Sequence, residues 1–254
     1  MVSKIFSITN QKGGVGKTTT AVNLSACLAK KGYKVLLVDI DPQGNSTSGV
    51  GVAKDNLEYT IYDALINEVS VKDVIIDTEI DNLQLVPANI ELAGAEIELV
   101  PTLSREVKFR DVIGEVNDEY DYIIVDCPPS LGLLTINALT ASNSVIIPIQ
   151  CEYYALEGLT QLLNTLKLVQ QHLNTGLEIE GVLLTMYDSR TNLSSQVVDE
   201  VRKYFKEKVY DVVIPRNVRL SEAPSYGKPV IVYDEKSKGA RVYNELSEEV
   251  LKNG

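Results

Sequence analysis

Eight consecutive residues, Lys12-Gly13-Gly14-Val15-Gly16-Lys17-Thr18-Thr19, carry the groups that phosphate chemistry requires. Glycines let backbone N–H groups turn inward around phosphate oxygens, Lys17 brings positive charge to the β- and γ-phosphates, and the Thr18 hydroxyl is a ligand for Mg²⁺. The usual pattern, G-x-x-x-x-G-K-[ST], opens on glycine. Here Gln11 holds that position and Lys12 stands at the loop entrance, so the loop is a deviant P-loop with two lysines. Two further runs end in carboxylates: Val35–Asn45 carries Asp39 and Asp41, and Ile123–Pro129 carries Asp126. A lone strand-terminal Asp can simply cap the next turn. Three of them beside a phosphate loop suit a metal shell and a positioned water.

These groups need a scaffold that brings strand ends together, and the apolar pattern supplies one. Ile5–Thr9, Val35–Val38, Leu83–Val86, Tyr122–Val125, Val145–Ile149, Gly181–Thr185 and Val209–Ile214 read as strands, several apolar at every position. Such runs suit strands buried on both faces, as in a parallel sheet. Thr18–Lys31, Arg105–Asn117, Leu133–Ala141, Leu156–His172, Ser194–Phe205 and Ala240–Lys252 carry helical spacing between or after them. The alternation predicts an α/β fold, a doubly wound and mostly parallel sheet, with strand Ile5–Thr9, the loop and helix Thr18–Lys31 in the order a P-loop needs. No Pro/Gly/Ser-rich linker or internal repeat interrupts it, so a single domain over residues 1–254 is expected, without an N-terminal helix-turn-helix module.

Composition narrows the classes. The 254 residues are 44% hydrophobic and 23% charged, and the longest apolar runs are strand-length, short of the roughly 20 residues a membrane helix requires. Met1–Lys4 runs straight into a strand pattern and leaves no room for a signal peptide, so a cytoplasmic protein is expected. Cys27, Cys127 and Cys151 are too few and too scattered for a disulfide framework or zinc site and read as buried thiols. The single histidine, His172, ends a helical pattern, which disfavours histidine-based catalysis. Net charge is −11, unevenly spread: residues 1–150 hold 11 Lys and Arg against 20 Asp and Glu, whereas Thr185–Arg241 holds 11 basic against 8 acidic residues. That asymmetry permits a basic patch without locating one.

The phrases Asn10–Thr20, Val38–Ser46, Asp126–Ser130, Ile149–Glu157, Met186–Asn192 and Ile214–Pro229 together resemble the ParA/Soj chromosome- and plasmid-partitioning ATPases, over essentially the full chain. The resemblance implies an ATPase with Mg²⁺, weak alone, that holds ATP between two subunits of a homodimer. It makes Lys12 the lysine that reaches the partner subunit's phosphates, Lys17 the lysine acting within its own subunit, and Asp41 the residue positioning the attacking water. Asp39 then supports the site and metal shell, with Thr18 and Asp126 as metal ligands. Asp41–Ser46 and Asp126–Gly132 become segments that respond to the γ-phosphate. Glu152 falls near the dimer contact, and Pro215 and Asn217 fall at the adenine edge. Arg190 and Arg219 match the family's contacts to double-stranded DNA, bound without sequence preference and released when a ParB-like centromere-binding protein stimulates hydrolysis. A nucleoid-associated protein is implied, more readily chromosomal than plasmid-borne. Arg202, Lys203, Lys206 and Lys208 are candidates to extend the basic patch.

Three rival readings remain. A MinD-like, membrane-associated ATPase needs a basic amphipathic C-terminal helix, whereas Glu245–Gly254 is acidic. A reductase resembling the nitrogenase iron protein needs cluster-bridging cysteines, and Cys127 and Cys151 stand outside that context. A nucleotide-gated scaffold with negligible hydrolysis would leave Asp41 only a structural role.

Overall fold

The structure is a computed structural model and describes residues 2–152 and 159–253. Its strands are β1 Lys4–Ile8, β2 Val35–Asp39, β3 Ile76–Asp77, β4 Leu83–Val86, β5 Tyr122–Asp126, β6 Ser144–Gln150, β7 Glu178–Tyr187 and β8 Val209–Pro215. They form one sheet in the order β3-β4-β2-β5-β1-β6-β7-β8, parallel throughout except for β3 against β4. The helices are α1 Lys17–Lys30, α2 Asn45–Gly49, α3 Ile61–Ile66, α4 Val71–Val74, α5 Leu92–Glu98, α6 Lys108–Gly114, α7 Leu133–Ala141, α8 Leu159–His172, α9 Asn192–Phe205, α10 Val218–Glu222, α11 Val230–Tyr233 and α12 Lys238–Asn253.

The continuous apolar runs follow from burial on both sheet faces. In β2 every residue is buried. Val35 and Leu37 join the core that includes α1 and α12, while Leu36 and Val38 join the core under α3, α5, α6 and α7. A third core packs β6 and β7 against α8 and α9. Alternate residues of one strand thus serve different layers, which is the doubly wound architecture expected from the sequence.

Several elements differ from the sequence expectation. The helix expected over Arg105–Asn117 forms only over Lys108–Gly114. The cause is Asn137 of α7. Its Nδ2 donates to the Arg105 carbonyl (2.8 Å) and its Oδ1 accepts the Phe109 N–H (3.0 Å), taking both halves of what would be the helix's own first hydrogen bond. Short helices α2 to α5 lie where apolar spacing is too brief to register; α3 nonetheless carries a Thr60/Asp63 capping box. Leu156–Gly158, expected to open α8, lie outside the described residues.

Candidate nucleotide-binding site

Three strand ends meet at one level of the sheet. Ile8 of β1 and Asp39 of β2 are both in register with Asp126 of β5, so the chain leaving β1 emerges beside two carboxylates. In open α/β sheets this C-terminal edge is where ligands bind. The loop after β1 turns through Gly14 and Gly16, whose φ values of 74° and 92° suit glycine. A Cβ on Gly13 or Gly14 would meet no atom, so the cradle is open to a ligand on that side.

The loop is fixed from two neighbouring strands. Asn10 Nδ2 donates to the Pro148 carbonyl of β6 (2.8 Å), and Asn10 Oδ1 accepts the Lys12 N–H (3.0 Å). Thr185 Oγ1 of β7 donates to the Val15 carbonyl (2.8 Å). Helix α1 then starts at Lys17, and Gly16, its N-cap, offers no side-chain cap. Its first N–H groups and positive dipole end therefore face the loop, an arrangement that attracts phosphate.

The charged groups behind the loop are held tightly. Lys17 is only 6% exposed and its Nζ donates to the Lys12 carbonyl at 3.1 Å. Burial lowers its pKa, against the opposing pull of Asp126 and Asp41. Asp39 has both oxygens occupied: Oδ2 accepts from the N–H and hydroxyl of Thr47, each at 2.8 Å, and Oδ1 accepts the Asp41 N–H at 3.2 Å. Asp126 Oδ2 accepts from Ser46 Oγ at 2.7 Å, while its buried Oδ1 has no partner among the described residues. Burial raises the pKa of both carboxyls; Asp126 adds to the rise at Asp39, and the Ser46 hydrogen bond opposes it at Asp126, where the Thr18 hydroxyl lies close by. Asp41 Oδ1 accepts the Gln43 N–H (2.9 Å) and its carbonyl accepts the Gly44 N–H (2.8 Å), which shapes the turn into α2.

These donors fit Mg²⁺. An unpartnered carboxylate oxygen on Asp126 and the Thr18 hydroxyl beside it are hard ligands at the loop. Among the described residues no three His, Cys, Asp or Glu side chains could hold a metal by themselves. A shell completed by phosphate oxygens and water is the usual arrangement for this ion.

A cavity of about 530 Å³ runs from Gly16 and Thr19 to the loop after β8, where Pro215 and Asn217 form part of its wall. Met186, Arg216 and Tyr243 also line it and were not picked out from sequence. Met186 has φ 53°, a backbone property no composition or spacing reveals. Arg216 pairs with Glu152, tying the end of β6 to this wall. Arg190 also lines the cavity, and its Nε and Nη2 donate to Asp188 at 2.9 and 2.7 Å, holding the Asp188 carboxyl well below the usual range. Arg219 is held by Glu222 (2.8 Å) and Asp234 (3.2 Å). Lys12 differs from all of these: among the described residues its amine takes no hydrogen bond or ion pair, although its N–H and carbonyl do. Arg202, Lys203, Lys206 and Lys208 are exposed at the end of α9 and just beyond.

Cys27, Cys127 and Cys151 are free and buried; burial pushes Cys27 and Cys151 up to about 12 and Cys127 higher still, leaving protonated, unreactive thiols. His172 lies exposed at the end of α8. Helix α12 buries Tyr243, Leu246 and Val250 in the α1 core, so its apolar face is spent inside the fold. No described helix is long and apolar enough to cross a membrane.

Together these features define a P-loop nucleotide-binding protein of the doubly wound α/β class. Residues 3–179 match the family described as AAA domain. The chain is 67% identical over 253 residues to the sporulation initiation inhibitor protein Soj of Bacillus subtilis, covering 100% of both chains. It is 58% identical over 251 residues to the chromosome partitioning protein ParA of Myxococcus xanthus, covering 99% of this chain and 89% of that one. Among solved structures it resembles a cobyrinic acid a,c-diamide synthase from Mycobacterium smegmatis with bound ATP analogue and magnesium, at TM-score 0.88 and 39% identity over 99% of this chain and 95% of the other. The chain belongs to the Soj/ParA family of chromosome-partitioning ATPases.

Proposed function

We propose that this protein is an ATP-driven dimerisation switch that controls residence on DNA during chromosome partitioning. The observation that carries the reading is the division of labour between the two loop lysines. Lys17 is buried and turned inward, whereas the Lys12 amine has no partner among the described residues. A second subunit's nucleotide is the complement that Lys12 lacks.

ATP and Mg²⁺ are the cofactors of the site; the ion, when bound, neutralises charge on the β- and γ-phosphates. The N–H groups of Gly13 to Gly16, with Val15 between, cradle phosphate, and Thr19 lies next along α1. Lys17 offsets charge that develops during transfer. Thr18 and Asp126 hold the metal, and Asp39 acts behind them by fixing Thr47 and Asp41. Asp41 orients the attacking water. Pro215 and Asn217 contact the adenine edge, and Glu152 stands near the dimer contact through Arg216.

Arg190 and Arg219 contact double-stranded DNA without reading its sequence, and dimerisation doubles their number. Each contact to a phosphate releases counterions, so binding weakens steeply with salt. A ParB-like centromere-binding protein completes the cycle by stimulating hydrolysis and returning the subunits to the monomer.

The test is binding to random-sequence duplex with and without ATP, for the wild-type chain and for Arg190→Ala with Arg219→Ala. ATP-dependent binding is expected, reduced roughly tenfold or more in the double variant, with a shallower salt slope. Unchanged affinity would place the DNA face elsewhere. If phosphate release stays at background with DNA and the ParB-like protein together, the chain is a nucleotide-gated scaffold instead.

A further inference from the structure

Two glycines far apart in sequence bring the nucleotide site and the Arg219 segment into direct contact. Gly51, just past α2, and Gly227, at the end of the turn after α10, both have positive φ (91° and 61°). A Cβ on Gly227 would stand 2.9 Å from Gly51 Cα and 3.3 Å from the Ser48 carbonyl oxygen. One on Gly51 would stand 3.1 Å from the Gly227 carbonyl oxygen. Main chain thus rests on main chain, at a spacing and in a conformation that a side chain on either glycine would disturb.

Each side of this contact is a stiff unit with functional residues at its other end. Helix α2 carries Ser46 and Thr47, whose hydroxyls hold Asp126 and Asp39. The Gly51 N–H donates to the Ser48 carbonyl (3.1 Å) and the Val52 N–H to the Thr47 carbonyl (3.2 Å), so the chain past α2 moves with it. At a helical rise of about 1.5 Å per residue, Gly51 stands roughly 8 Å along the axis from Ser46. On the other side, α10 carries Arg219 and runs into the 3₁₀ turn Ala223–Tyr226. The Ser225 hydroxyl donates to the Glu222 carbonyl (2.7 Å), the Gly227 N–H to the Pro224 carbonyl (3.0 Å) and the Lys228 N–H to the Ala223 carbonyl (3.2 Å). Residues 218–228 therefore form one hydrogen-bonded piece.

That piece is pinned at one end and has space beside it. Asn23 of α1 accepts the Val230 N–H through Oδ1 (2.7 Å) and donates through Nδ2 to the Thr19 carbonyl (2.7 Å). A cavity of about 300 Å³, lined by Thr19 and Asn23 of α1, Asn45 and Ser48 of α2, and Pro224 and Lys228, leaves the turn room to shift. Arg219 spans the piece and its fixed neighbour. Its Nη1 pairs with Glu222 inside α10 (2.8 Å), whereas its Nε pairs with Asp234, just past α11 (3.2 Å). Val230 and Ile231 of α11 are buried in the core shared with α1 and α12. A shift of α10 against α11 lengthens the Asp234 pair and leaves the Glu222 pair intact.

We propose that the Gly51–Gly227 contact is a relay through which α2 reports the γ-phosphate to Arg219, and that Asp234 is the anion that restrains Arg219 until the report arrives. The inference rests on the ATP-dependent DNA residence proposed above and adds a step that takes place within one subunit, before any dimer forms. ATP and ADP share the base and its contacts to Pro215 and Asn217. A difference between them at residues 219–228 has to come from the γ-phosphate side, by way of α2.

The experiment follows hydrogen exchange in the Lys12→Ala chain, diluted until light scattering shows monomers, with Mg²⁺ and saturating ADP or a non-hydrolysable ATP analogue. Amides of residues 219–228 are expected to exchange about fivefold or more faster with the analogue than with ADP, the size usual for coupled sites. Adding Gly51→Ala should erase that difference while the protection that either nucleotide gives the P-loop remains. Asp234→Asn, in an otherwise wild-type chain, leaves the glycine contact untouched. It should tighten random-sequence duplex binding about fivefold with ADP and hardly at all with the analogue, where Arg219 is already released. Loss of a negative charge alone would tighten both alike. Equal tightening, a 219–228 segment that answers ADP and the analogue identically, or a difference that survives Gly51→Ala each overturn the relay. A wild-type chain that shows the exchange difference and yet binds no duplex with ATP overturns the functional reading and leaves the link between γ-phosphate and Arg219 standing.

Discussion

The carboxylate shelf behind the P-loop and the cationic rim in front of it are built on opposite terms. On the shelf, Asp39, Asp126 and Lys17 are buried, and all but one of the carboxylate oxygens are fixed by a hydroxyl or N–H of the chain. On the rim, Arg190 and Arg219 stand in solvent, paired among the described residues only with acids from their own neighbourhood, and the Lys12 amine is unpaired among those residues. Exposed ion pairs are weak and exchange readily with other anions. The shelf is thus prepared before any ligand arrives, whereas under the proposed function the rim takes its final partners from outside. The proposed function assigns chemistry to the first region and association to the second.

The largest effect that tests this division comes from the two lysines of one loop. Lys17→Ala should reduce ATP turnover roughly a thousandfold at every protein concentration, because it removes charge stabilisation inside the site. Lys12→Ala should abolish the ATP-dependent dimer and, with it, the rise of specific turnover with protein concentration. Phosphate release and light scattering across a concentration series separate the two. Identical profiles would mean that both lysines serve one function, and the division between shelf and rim would fail.

How much of this was legible in the sequence follows the same line. The strand runs and their terminal carboxylates were readable because burial on both sheet faces demands unbroken apolar residues, as in Val35–Asp39 and Tyr122–Asp126. Lys12 stood out by replacing ordinary loop chemistry at a fixed offset from Lys17. What spacing could not convey were interactions across long separations. Asn137 shortens a helix that begins about thirty residues earlier, Thr185 braces Val15 from 170 residues away, and Arg216 meets Glu152 across 64 residues. Thr47 belongs to the same group: nothing marks it in sequence, yet it holds Asp39.

A middle-sized effect is expected from Thr47→Val, which keeps the side-chain volume and removes one hydroxyl. That hydroxyl donates to Asp39 Oδ2 (2.8 Å) and accepts the Ala88 N–H (3.0 Å), both buried. The Ala88 N–H is orphaned and Asp39 Oδ2 keeps only the Thr47 main-chain N–H, which together should cost roughly 1–3 kcal/mol, read as a fall in Tm on the order of 5 °C for a chain of this size. The fall should appear without ATP, since the shelf is already assembled in its absence. A Tm that drops only in the presence of nucleotide would show that the shelf, like the rim, is completed by its ligand.

The smallest effect probes the rim directly. Asp188→Asn leaves an oxygen to accept the Arg190 main-chain N–H, now bonded to Oδ1 at 3.0 Å, but removes the charge that holds the guanidinium. If Arg190 awaits an external anion, its release together with the loss of a negative charge should strengthen ATP-dependent binding to random-sequence duplex about two- to fivefold at low salt, with a steeper salt slope. Tm should not move, because the exposed pair contributes little to the fold. Titrating duplex at two salt concentrations decides the matter. Weaker binding by the Asn variant would mean that Asp188 aims Arg190 at the DNA, and the rim would then be as preassembled as the shelf.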